Sequence, residues 1–136
     1  MIKPLLHPDI DRILISETQV QEAVFRLAQK INEDYGEEPL LLVVILKGSM
    51  VFASDLMRHL AMPVQMDFMQ VSSYGQGTTS SGFINVKKDL TTSIEGKNVL
   101  IIEDIIDSGN TLFKLKELLR GRNARSVRIC TILDKP

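Results

Sequence analysis

The sequence is short of three things that would each mark out a class of protein: cysteine, a surplus of one charge, and long apolar runs. Its single thiol, Cys130, cannot close an internal disulfide, which fits a reducing compartment; set in the apolar stretch "VRICTIL", it reads as a buried, inert side chain. Sixteen Lys and Arg against seventeen Asp and Glu leave a formal net charge of -1, so nothing electrostatic recommends nucleic acid or an anionic membrane as a partner. The longest apolar run, Leu40 to Leu46, falls far below the ~18 residues of a membrane span. Lys3, Pro4, His7 and Pro8 interrupt the opening residues where a leader would need an apolar core. The expectation is a soluble, cytoplasmic protein. His7 and His59 have no partner at metal-ligand or nucleophilic spacing and receive no role. Neither "LKGSM" nor "EGKN" satisfies the phosphate-loop pattern of nucleotide hydrolases, which disfavours ATP hydrolysis.

What is present suits one compact core. The 136 residues are 44% hydrophobic and 24% charged, near the globular average, with no internal repeat, so a single domain spanning 1–136 is expected. Ser16 with Gln19 three residues on resembles a capping box, and Val20, Val24, Leu27 and Ile31 recur at helical spacing until Gly36 closes the segment. "LLLVVIL" is too short for a lone helix and too uniformly apolar for a half-exposed strand; it predicts a buried parallel strand. A helix over "MVFASDLMRHLA" and a strand from Val64 follow. Ser72 to Gly82 has almost nothing to bury and lies between strand-like "DFMQV" and "FINVKKDL", which predicts a long mobile hairpin loop. Val99 to Ile102 is the next buried strand. Asn110 to Arg120 predicts a helix with Leu112, Leu115, Leu118 and Leu119 inward and Gly121 as its stop, and "SVRICTIL" is the last strand. Strands alternating with helices in this order predict an α/β fold, a doubly wound and mainly parallel sheet flanked by helices.

The chemistry concentrates in "NVLIIEDIIDSGNT", Asn98 to Thr111. A buried strand runs into Glu103 and Asp104, and a third acid, Asp107, precedes Ser108, Gly109, Asn110 and Thr111 at the mouth of a helix. In open α/β sheets ligands bind beyond the carboxyl ends of the strands. The start of the next helix offers backbone N–H groups, its dipole and two hydroxyls to an anion such as phosphate. Three acids beside a phosphate cradle would repel a bare anion, so they should meet hydroxyl groups or a divalent cation. A phosphorylated sugar carried with Mg²⁺ meets both needs. The plainer alternative is a solvated loop with Asp107 as a helix cap.

The same stretch resembles the phosphoribosyl pyrophosphate (PRPP) motif of the type I phosphoribosyltransferases, specifically that of bacterial hypoxanthine-guanine members. Relatives acting on adenine, uracil or orotate carry Ala or Thr at the place of Asp107, and xanthine-preferring relatives usually begin the acidic pair with Asp where this chain has Glu103. "VVILKGS" resembles the family's pyrophosphate-binding loop, "VSSYG" its catalytic loop and "ILDKP" its purine-side lysine motif, so the resemblance runs from about Ile13 to Pro136. It implies a type I phosphoribosyltransferase core. It also implies an activity: transfer of the phosphoribosyl group of PRPP to hypoxanthine or guanine, giving IMP or GMP and pyrophosphate in purine salvage, with Mg²⁺ as cofactor.

Carried over by residue, the resemblance implies that Glu103 and Asp104 hold the ribose hydroxyls and the metal. Asp107 acts at the purine N7, and Asp107, Ser108, Gly109, Asn110 and Thr111 wrap the 5′-phosphate, Asn110 standing where many relatives have Lys. Lys47 and Gly48 present backbone groups to pyrophosphate through a cis Leu46–Lys47 peptide. Ser73 and Tyr74 close over the sugar, and Lys135 donates to the purine O6. A homo-oligomer, dimer or tetramer, is expected. Relatives continue past the equivalent of Pro136 into a hood that completes the purine site, a segment absent from this sequence. The competing reading is a non-catalytic PRPP sensor regulating nucleotide synthesis; the missing basic excess and Asp107 itself speak against it. An oligomer-forming structural relative without PRPP chemistry is the third.

Overall fold

A computed structural model describes residues 17–73, 84–106 and 110–134. The elements are α1 (Glu17–Tyr35), β1 (Leu40–Ile45), α2 (Met50–Met57), β2 (Val64–Ser73), β3 (Ile84–Lys88), β4 (Asn98–Ile106), α3 (Asn110–Arg120) and β5 (Ser126–Asp134). The strands form one sheet in the order β3-β2-β1-β4-β5, parallel except for β3, which runs antiparallel to β2.

β1 fixes this arrangement. All six of its side chains are buried, as its unbroken apolar sequence requires of a strand covered on both faces. Leu40, Leu42 and Val44 pack with Val24, Ala28 and Ile31 of α1 and Phe52, Ala53 and Leu56 of α2. Leu41, Val43 and Ile45 pack on the other face with Leu112, Leu115 and Leu119 of α3. The chain leaves β1 through α2 toward β2 on one side, and leaves β4 through α3 toward β5 on the other. Crossovers of one hand that travel in opposite directions must lay their helices on opposite faces, and the two clusters bear this out.

Several boundaries differ from the sequence reading. β4 does not stop at Ile102: it continues to Ile106, with Glu103 opposite Thr131 and Ile106 opposite Asp134, after its ladder to β1 has ended at Ile102 opposite Val44. Ser72 and Ser73 belong to β2, paired with Asn85 and Ile84, and the rest of the expected hairpin loop lies outside the described residues. α2 ends at Met57. Leu118 is not inward but 36% exposed. At 100° per residue it sits roughly 90° off the centre of the Leu112, Leu115 and Leu119 stripe. Gly36 does take the left-handed conformation expected of a helix stop, φ 61°, and donates to the Asn32 carbonyl at 2.9 Å. Gly121 does not. Its amide continues the helical pattern to the Glu117 carbonyl at 3.1 Å, and the positive φ falls on Asn123, at 65°. Asn tolerates that conformation better than other non-glycine residues.

Asp67, on β2, is the buried charge among the described residues, 3% exposed. Its carboxylate accepts from the Phe68 amide at 2.8 Å, from the Thr91 and Thr92 amides at 3.0 and 3.1 Å, and from the Thr92 hydroxyl at 2.9 Å. It thereby ties the segment after β3 back to β2. Two further side chains secure the same region: Lys88 Nζ donates to the Phe68 carbonyl at 3.2 Å, and Arg122 grips Asp89 with two bonds of 2.8 Å. Burial alone would push the Asp67 carboxyl up, but the donors from Phe68, Thr92 and Thr91 outweigh it and hold the group below its ordinary 3.8. A carboxyl lowered on folding stabilises the protein above its unfolded value, and that contribution fades as pH falls through the folded one. Asp67→Ala, which removes the acceptor of three part-buried amides, should therefore cost roughly 2 to 4 kcal/mol at neutral pH. Urea unfolding of both proteins from pH 7 down to pH 3 checks this, and the gap should narrow in acid.

Candidate active site

The site forms where the sheet changes direction. β1 and β4 are neighbours whose crossovers diverge, leaving a crevice beyond their carboxyl ends, where open α/β sheets bind ligands. Two chain segments meet there. Past Ile45 the Leu46 amide still donates to the Met69 carbonyl of β2 at 2.8 Å, and the chain then turns through residues 46–49 into α2. The Leu46–Lys47 peptide is cis, as the resemblance implied. Lys47 and Gly48 are exposed on this turn, while Ser49 is fully buried at its base.

From the other side comes β4, extended past the end of β1. Glu103 is the first residue of β4 beyond that shared ladder, half-buried, and its Oε1 accepts a hydrogen bond from the Ser49 hydroxyl at 2.8 Å. The turn of Lys47 and Gly48 and the acid expected at the ribose are thus joined by one side-chain bond. Asp104 follows within β4, Asn110 opens α3 and half-buried Thr111 follows it, so the strand end and the start of the helix flank the crevice. Ser73 ends β2. Asp107, Ser108, Gly109, Tyr74 and Lys135 lie outside the described residues. Ser49 is the contact that the sequence reading passed over; its signal was a hydroxyl directly after Gly48 at the start of a helix.

The donor set is one of oxygens. Carboxylate oxygens are the ligands that a hard cation such as Mg²⁺ takes; among the described residues no group of three His, Cys, Asp or Glu could hold a metal ion. A concavity of about 390 Å³ lies at the opposite end of the sheet, lined by the first residues of β1, β2 and β4 with Lys97 and Arg125. Strand order places chemistry at the other edge. Among the described residues no helix is long and apolar enough to cross a membrane.

An open, doubly wound sheet with an acid-bearing strand end beside the 46–49 turn is the arrangement that the resemblance to phosphoribosyltransferases implied. The phosphoribosyl transferase domain model matches residues 15–136. The hypoxanthine-guanine phosphoribosyltransferase of Bacillus subtilis (strain 168) is 48% identical over 132 residues, 97% of this chain and 73% of that protein. Its counterpart from Streptococcus pneumoniae (strain ATCC BAA-255 / R6) is 46% identical over the same shares. A crystal structure of a hypoxanthine phosphoribosyltransferase from Staphylococcus aureus superposes with a TM-score of 0.87 at 45% identity, covering 94% of this chain and 70% of that one. The chain belongs to the phosphoribosyltransferase family, in its hypoxanthine-guanine branch.

Cys130, the single thiol of the chain, lies opposite Ile102 in the sheet. It is 6% exposed, and burial pushes it up to about 11 against a smaller opposing pull from Arg128. At pH 8 the folded protein should react with a thiol-specific disulfide reagent about a hundredfold or more slowly than a free thiol of ordinary acidity. Stopped-flow measurement with and without denaturant checks this, since unfolding should restore the ordinary rate.

Proposed function

We propose that the protein transfers the phosphoribosyl group of PRPP to the 6-oxopurines hypoxanthine and guanine, releasing pyrophosphate and forming IMP or GMP in purine salvage. The observation that carries this reading is the convergence, at the switch point of the sheet, of the 46–49 turn on Glu103 through the Ser49 hydroxyl. Identity of 48% to a hypoxanthine-guanine enzyme across nearly the whole chain supports it.

In the reaction pyrophosphate leaves the ribose C1, the sugar gains cationic character and the purine N9 attacks. Lys47 and Gly48 hold pyrophosphate through their backbone groups. Glu103 and Asp104 orient the ribose hydroxyls, and the backbone from Asp107 to Thr111 receives the 5′-phosphate at the start of α3, where orphan amides favour an anion. Asp107 takes the proton from N7 as N9 bonds. Ser73 and Tyr74 exclude water from the activated sugar, and Lys135 donates to the purine O6. Glu103 and Asp104 are the residues that would hold Mg²⁺, which when bound neutralises charge on the departing pyrophosphate. The working unit is a dimer or tetramer in the cytoplasm.

Incubation with PRPP, Mg²⁺ and hypoxanthine, guanine or xanthine, followed by chromatography of nucleotide and assay of pyrophosphate, tests the reading. Binding of PRPP without any nucleotide formed would instead favour a sensor. Asp107→Asn should keep PRPP affinity while lowering kcat by about 10²- to 10⁴-fold, the usual contribution of a positioned general base. Equal rates for variant and parent across pH would remove Asp107 from that role.

A further inference from the structure

We infer that Ser49 is a positioning residue that sets the Glu103 carboxylate for the ribose of PRPP, an inference that rests on the function proposed above. Ser49 occupies the N-cap position of α2, where a serine ordinarily turns its oxygen to the backbone amides of the first helical turn. It makes no such cap bond here. Its hydroxyl donates instead across 54 residues of sequence to Glu103 Oε1, at 2.8 Å, and the residue is fully buried. A local bond that the sequence makes easy has been given up for a long-range one.

The position explains what that bond does. Up to Ile102 each residue of β4 is held by ladders on both sides, to β1 and to β5; at Glu103 only the β5 ladder continues, opposite Thr131. The ladder to β1 thus ends just before the first acid. On the side where β1 has ended, the base of the 46–49 turn supplies Ser49. The hydroxyl therefore anchors one carboxylate oxygen of Glu103 to the same turn whose Lys47 and Gly48 face the pyrophosphate. The ends of PRPP that these groups address are set at a defined separation before the ligand arrives, which lowers the cost of ordering them on binding.

The test is steady-state kinetics on the parent, Ser49→Ala, Ser49→Gly, Glu103→Ala and the double variant Ser49→Ala/Glu103→Ala, each with urea unfolding. Loss of a hydrogen bond to a charged group should raise KM for PRPP about tenfold in Ser49→Ala and leave kcat within about twofold. Ser49→Gly, which also lacks the hydroxyl, should behave alike. In the Glu103→Ala background the Ser49→Ala change should have no further effect on KM, because its target is gone; a merely structural role would persist there. An unchanged KM for PRPP in both single Ser49 variants, or a tenfold rise that survives in the Glu103→Ala background, overturns the inference while the parent's activity keeps the functional reading intact. A parent that neither binds nor consumes PRPP overturns both.

Discussion

Burial of β1 on both faces is the constraint from which the rest of the molecule follows. A strand with six apolar side chains in a row can be satisfied only by helices above and below and by strands on either side. Once α1 and α2 cover one face and α3 the other, the two crossovers must diverge, and divergence leaves a crevice at the carboxyl ends of β1 and β4. The location of the chemistry is in this sense a by-product of packing. The acids and the turn that occupy the crevice decide only what is done there.

The strand lengths then divide the labour. β1 stops at Ile45 and releases the chain into the turn of Lys47 and Gly48, whereas β4 runs four residues beyond its last partner on β1, carrying Glu103 and Asp104 on a strand still laddered to β5. Acids on a strand are held more firmly than acids on a loop, which suits the ribose-orienting role proposed for them. At the far side of the sheet, Asp67 and the Asp89–Arg122 pair brace the segment after β3 against β2 and against the turn after α3. The sheet is polar where it must hold loops and apolar where it must hold helices.

Much of this was legible in the residues. The unbroken apolar run of β1 and the helical spacing of Val24 and Ile31 leave little choice of structure, and the run of acids and small residues from Glu103 to Thr111 has a chemical meaning that a resemblance could then specify. Other features were hidden for physical reasons. Glu103 and Asp104 read as the end of a strand because polarity normally ends burial, yet whether β4 continues is decided by its pairing with β5, which no local pattern contains. Leu118 lies at the margin of a stripe whose width depends on how closely α3 meets the sheet. Asn123 takes the left-handed position because three successive turn bonds carry the chain past Gly121 before it reverses. Asp67 looks like any acid in an alternating strand until Thr91 and Thr92, remote in sequence, bring their donors to it.

The outer edge of the sheet at β3 carries a consequence for behaviour in concentrated solution. β3 is only five residues long, exposes Lys87, and pairs with β2 across a bulge between Gln70 and Val71. Shortness, a lysine and a bulge are each known to spoil an edge as a template for another chain's strand, and here all three coincide. The hairpin rim is thereby guarded against cross-chain sheet growth, a colloidal safeguard written into the same strand that completes the fold.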